Sequence, residues 1–407
     1  GNGTGVLVID GTEFTLANGN VLINGCTPVS TADELVAALE AGKSVYFLKD
    51  IKINPAAMSN AYGKTGINVK NGQTIDGGGH TLNIQGAGGT WDSGINTTGG
   101  LIKNLTVKSE GRVAAGLFAN SQGVIKNLYV DGANISGNYK AGVIVGDGLC
   151  SRITNCHVDG CEVVSTPYNK DEANNVGGIV GYTNGRNTSA NGSVYITECI
   201  NNGKVEVTAD VLAFTGGVVG YANTNAGTKE ALGTDFLTNC INYGEVNVLF
   251  PCKPGKSSIG GVLGGTQQSA STAAANQGQI KDCINYGKVS YRFETLSSGT
   301  YGNVGGVVGY AQANMEGCDN HGEVSFTTPA DDLNQGGTRP ALGGVVGSNV
   351  FKTVGCNNYG KVFAEGVWAA GTSDAAGAGS QGGSTFAGVA GCTGVYNVYS
   401  SDYNVED

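Results

Sequence analysis

The 407-residue chain holds 70 Gly but only 7 Pro, and its net charge is −10. Without a Gly-X-Y period this composition excludes collagen and low-complexity disorder. The acidic balance and the lack of a basic block argue against a nucleic-acid partner, and no apolar run reaches the roughly 18 residues of a membrane-spanning helix.

The chain opens GNGTG without Met, which reads as a mature form or a fragment. Within residues 1–29, the runs Val6-Leu7-Val8-Ile9 and Val21-Leu22-Ile23 are broken by Gly and Asn and predict short strands. Ser30-Thr31-Ala32-Asp33-Glu34 then precedes LVAALEAG. A hydroxyl residue with an acid three positions on, an apolar run and a closing Gly42 predict a short capped helix. Its apolar side (Leu35, Ala38, Leu39) is expected to cover the open end of whatever follows, where bare strand edges would otherwise be exposed. VYFLKDIKI at 45–53 alternates as a strand.

From residue 67 onward the chain repeats itself. INVKNGQTIDGGGHTLNI at 67–84 is followed by LIKNLTV at 101–107, VIKNLYV at 124–130 and RITNCHV at 152–158. CINNGKV, CINYGEV, CINYGKV, CDNHGEV and CNNYGKV then start at Cys199, Cys240, Cys283, Cys318 and Cys356, each preceded by a GGxxG cassette, at 177, 216, 260, 305 and 343. A period of a few tens of residues marks a solenoid. The shortest intervals hold about two dozen residues, enough for three short strands and their turns. Extra length enters only after the cassette (183–195, 222–236, 265–279) or before it (164–175, 326–341, 364–386).

Aligned copies form columns. Leu105, Leu128, Cys156, Cys199, Cys240, Cys283, Cys318 and Cys356 share one slot. Leu standing in for Cys makes this an apolar packing position rather than a metal or disulfide framework, and pairing among Cys150, Cys161 and Cys252, outside the column, stays open. Two residues on, Asn201, Asn242, Asn285, Asn320 and Asn358 predict a ladder of amides, each donating to one neighbour and accepting from the other. Gly203, Gly244, Gly287, Gly322 and Gly360 are expected to supply a positive φ at the bend. Lys204, Glu245, Lys288, Glu323 and Lys361 alternate in sign, as expected of one copy per coil about 4.8 Å apart. The valines one position further face inward.

The GGIVGY…ITECINNGKVEV pattern resembles the GLUG-motif repeat of bacterial surface, adhesin-like proteins. INVKNGQTIDGGGHTLNI and the IKNL segments resemble the first coils of pectin-lyase-like right-handed β-helices. The resemblance spans roughly residues 30–392. It implies an all-β, right-handed parallel β-helix; the aligned copies put it at about nine rungs, and the division expected is residues 1–54 as a strand-and-helix cap and 55–407 as the helix proper. It also implies an extracellular or bacterial cell-surface location. It says little of activity, since the scaffold hosts many.

Chemistry is sparse. No HExxH, GxSxG or P-loop occurs, and the repeated positions offer no converging carboxylates of the kind a glycosidase needs. No metal or cofactor is expected. Of the three histidines, His80 in DGGGH belongs to the segment that resembles the structural first coil, and His157 sits in RITNCHV. Tyr243, Tyr286, His321 and Tyr359 form a further column, which serves either as mutual stacking or as a platform for a sugar chain. With Trp368 of the 364–386 insertion, these are the candidate ligand contacts. The reading is a non-catalytic adhesin-like protein binding a glycan or other host or bacterial surface polymer along one lateral face. The alternatives are a carbohydrate-active enzyme using Asp331, Asp332 and Arg339 of TTPADDLNQGGTRP at 327–340, and a structural stalk.

Overall fold

The computed structural model of the chain describes residues 4–17, 19–55, 65–85, 93–137, 139–149, 151–166, 174–185, 194–209, 212–223, 235–250, 257–267, 279–294, 302–327, 341–349, 351–365, 385–387 and 390–393. The proposed insertions fall largely outside these residues, and Asp331, Asp332, Arg339, Trp368, Cys150 and Cys252 fall wholly outside them.

The chain begins with an antiparallel three-stranded sheet, β1 (Gly5–Ile9), β2 (Thr12–Ala17) and β3 (Asn20–Ile23). Then β4 (Thr27–Val29) leads into helix α1 (Ala32–Glu40), followed by β5 (Val45–Phe47) and β6 (Ile51–Ile53). Thr31 is the N-cap: its hydroxyl accepts from the Glu34 N–H at 3.2 Å, while the Glu34 carboxylate accepts from the Ser30 N–H at 2.7 Å. At the other end Gly42 has φ +75°. Its N–H bonds the Leu39 carbonyl at 3.0 Å and that of Lys43 bonds Ala38 at 2.9 Å, a Schellman closure. Leu35, Ala38 and Leu39 are buried, and α1 packs on β4, β5 and β6 and on the strand Thr65–Lys70, so the helix covers the first coils as expected.

Every later strand pairing among the described residues is parallel, with register shifts only at Phe118/Asn120 and Asp235/Leu237, which makes a β-helix. A coil runs through five short strands, for example Lys140–Gly142, Val145–Leu149, Arg152–Thr154, His157–Asp159 and Glu162–Ser165. Stacked coils turn these into five ladders. Earlier coils are simpler: Leu101–Glu110 spans two of the ladders as one bent strand, and the ladder that starts at Lys140–Gly142 has no member before it. Thus the three-strand rung read from the sequence holds for the short coils only. Longer coils add the ladder that begins at Lys140–Gly142 and break the bent strand into two. Parallel pairing links β4 to β5 and β5 to Thr74–Asp76.

The interior is one continuous apolar column system. Val205, Val246, Val289 and Val324 pair in register and are fully buried, as are Cys199, Cys240, Cys283 and Cys318. Cys26, Cys161 and the six cysteines of the column are free. Both apolar residues of each cassette (Ile179-Val180, Val218-Val219, Val262-Leu263, Val307-Val308, Val345-Val346) point inside with no exposure. The second Gly of the cassette faces the asparagine ladder across a narrow lumen. A Cβ at Gly217 would collide with the Asn242 amide and with the Gly261 carbonyl.

Candidate ligand-binding face

The asparagine ladder positions the face. Nδ2 of Asn201 donates to Oδ1 of Asn242 at 2.8 Å, and the relay continues through Asn285 and Asn320 to Asn358 at 2.8–2.9 Å. The second amide hydrogen goes to the carbonyl of Gly203, Gly244, Gly287, Gly322 or Gly360, at 2.7–2.8 Å. Those glycines do not adopt the positive φ expected of them. They are needed for another reason: a Cβ at Gly287 would lie well inside contact distance of the Gly244 carbonyl oxygen below it, and the same holds up the column. The left-handed residues are elsewhere, one before the Cys slot: Asn104, Asn127, Asn155, Glu198, Asn239 and Asp282, with φ between 50° and 55°. In the early coils their side chains form a second amide ladder, Asn155 to Asn127 to Asn104 at 3.0 Å each, which ends on the buried carboxylate of Asp76.

From Asn242 onward, the residue after each buried Asn carries the aromatic ring. Its backbone N–H bonds the Asn carbonyl of the coil below: Tyr243 to Asn201 at 2.8 Å, and Tyr286, His321 and Tyr359 to Asn242, Asn285 and Asn320 at 2.7 Å. The ring spacing is therefore set by the sheet. Tyr243 and Tyr286 stack with centroids 4.9 Å apart, Tyr286 and His321 4.7 Å, His321 and Tyr359 4.6 Å, with planes within 16° of parallel. The tyrosines remain 51%, 42% and 44% exposed. Ring faces cover one another, so solvent meets the ring edges, with three phenol hydroxyls and an imidazole in a row. No protein group bonds those hydroxyls among the described residues.

Toward the N-terminus the same column becomes polar. Lys108 pairs with Asp131 at 2.8 Å, the Tyr129 hydroxyl donates to Asp159 at 3.1 Å, and Asn202 bonds His157 at 3.0 Å. The Asp159 contact holds the Tyr129 phenol above its ordinary range. His80 lies 3.5 Å from Asp50.

Beside the rings runs the charged row, in register and extended one coil by Glu162 opposite Lys204. Only Lys288 and Glu323 close across coils, at 2.8 Å; Lys204 turns to Glu206 of its own strand, and Lys361 lies 5.1 Å above the Phe363 ring. Beyond that row, four strands (Glu162–Ser165, Lys204–Thr208, Val246–Phe250 and Val289–Phe293) carry a shallow groove of about 360 Å³. Val164, Glu206, Asn247, Leu249, Ser290 and Arg292 line its outward floor. Strand alternation in KVEVT and EVNVLF points such positions outward, but they are not among the candidate contacts predicted from sequence. They carry no repeated identity, so no column announced them.

A family profile described as "Putative pectate lyase-like adhesive domain" matches residues 26–144. No curated protein matches the chain. Among solved structures it is similar to "a putative immunoglobulin A1 protease from Bacteroides ovatus", at 15% identity and a TM-score of 0.40, covering 76% of this chain and 81% of that one. Among the described residues no helix is long and apolar enough to cross a membrane, and no group of His, Cys, Asp and Glu is arranged to hold a metal ion.

Proposed function

We propose that this is an adhesin-like extracellular or cell-surface protein that holds a glycan or another surface polymer, without chemistry, along the face bearing Tyr243, Tyr286, His321 and Tyr359. The carrying observation is the exposed row of polar ring edges, repeated at coil spacing and left without protein partners among the described residues. A polymer with regularly spaced hydroxyls can bond such a row many times over, each contact weak and the sum specific. The adhesive-domain profile over the first coils supports this reading, and so does the GLUG-like repetition in the later ones.

The hydroxyls can be removed while the stack is kept. The triple variant Tyr243→Phe, Tyr286→Phe, Tyr359→Phe is expected to fold as before and to lose about tenfold or more in affinity for any polymer found on a glycan array. Unchanged binding by the triple variant would sink the proposal.

A further inference from the structure

We infer that the groove beside the ring row is a second subsite, which selects a glycan carrying a single acidic group, uronate or sulfate ester, among neutral sugars. The inference rests on the reading of this side as a polymer-binding face but uses different side chains. Four in-register strands supply the groove, and each has a neighbour on both sides, so their backbone donors and acceptors are already used. A peptide therefore cannot add to the sheet as a strand. Recognition must come from side chains, which suits the scattered hydroxyls of a saccharide.

The floor divides into kinds. Val164 and Leu249 give apolar patches for sugar C–H faces, while Asn247 and Ser290 offer an amide and a hydroxyl. Among the described residues Arg292 is the one cation lining the groove; it is exposed and has no ion-pair partner there. Glu206, the only carboxylate among the described lining residues, is already matched by Lys204. One unmatched guanidinium fits one carboxylate or sulfate, in two parallel hydrogen bonds. A chain charged at every sugar would gain this contact once, yet meet the −10 field of the whole protein along its length.

Isothermal titration and array binding with matched oligosaccharides test this on several backbones (xylan, glucan, mannan, galactan). Each is offered neutral, with one glucuronate, and with one sulfate, beside polygalacturonate. At least one singly acidic member should bind about tenfold more tightly than its neutral parent, and the two acidic arms show which acid is preferred. Arg292→Gln should erase that difference and leave the neutral parent unchanged; Arg292→Lys should restore part of it. Polygalacturonate should bind no better than the singly charged chain. No preference for a singly acidic member, or a preference that survives in Arg292→Gln, overturns the inference. Loss in the tyrosine triple variant with no change in Arg292→Gln would leave the ring row standing and remove the subsite. The converse would remove the ring row alone.

Discussion

At the scale of single residues, Asn285 shows how much one buried amide can do. It donates to Gly287 and Asn320, accepts from Asn242 and receives the Gly287 N–H at 3.2 Å. Asn285→Ala takes the Asn285 partner from one Asn242 amide hydrogen, from the Asn320 amide oxygen and from the Gly287 carbonyl, all buried, while the Gly287 N–H keeps the Asn242 carbonyl at 3.3 Å. At about 1–3 kcal/mol for an orphaned group, denaturant unfolding should show a loss of several kcal/mol if none is rescued by water. Asn285→Asp should fare little better, because a carboxylate cannot donate. The ring beside it should respond quite differently. Tyr286 is partly exposed, so Tyr286→Ala should forfeit its stacking, about 0.5–1.5 kcal/mol for each neighbour, while the coil persists. The amide is needed for folding, whereas the ring can be spent on recognition.

At the scale of elements, α1 is a nine-residue helix, too short to be stable alone in water. It holds because both ends are closed and because Leu35, Ala38 and Leu39 are buried on the first coils. Thr31→Ala removes the acceptor for the Glu34 N–H and should lower stability by about 1 kcal/mol, read from the midpoint of urea unfolding. Leu35→Asp is a harsher change: a charge would sit at a fully buried position over the mouth of the solenoid. Size-exclusion chromatography should then show association through the uncovered end. A monomer as stable as the parent would argue that the coils do not need this cover.

At the scale of the whole molecule, the thiol column ties stability to pH. Burial, and then contact with the neighbouring thiol, pushes Cys156, Cys240 and Cys283 up; for Cys318 and Cys356 the neighbouring thiol leads and burial follows. Cys161 is raised by burial to about 11. A thiol raised on folding keeps its proton to higher pH than in the unfolded chain, where it ionises near about 8.5. Folded protein then binds more protons, so this stability is complete below that pH and is lost as pH climbs toward 11 and beyond. Thermal unfolding from pH 7 to 11 should show the melting temperature falling above about pH 8.5, and a Cys161→Ala, Cys283→Ala variant should fall less steeply. The native protein should also leave the column untouched by thiol reagents. The repetition of CINYGKV made the coil, its in-register columns and the direction of the valines legible from residues alone, because a fixed register repeats the same environment at the same position. The hydroxyl with an acid three residues on and the closing Gly42 likewise made the capped helix legible. Close approach of one backbone to the next, which is what demands glycine after the asparagine, had no local signal, and a positive φ was the wrong reason. Face-to-face stacking was legible as a possibility, but that it turns ring edges outward depends on side-chain rotation within the stack. The groove was hidden for a related reason: unlike side chains from four coils meet there only after the chain has wound past itself, and sequence periodicity reports likeness, not encounter.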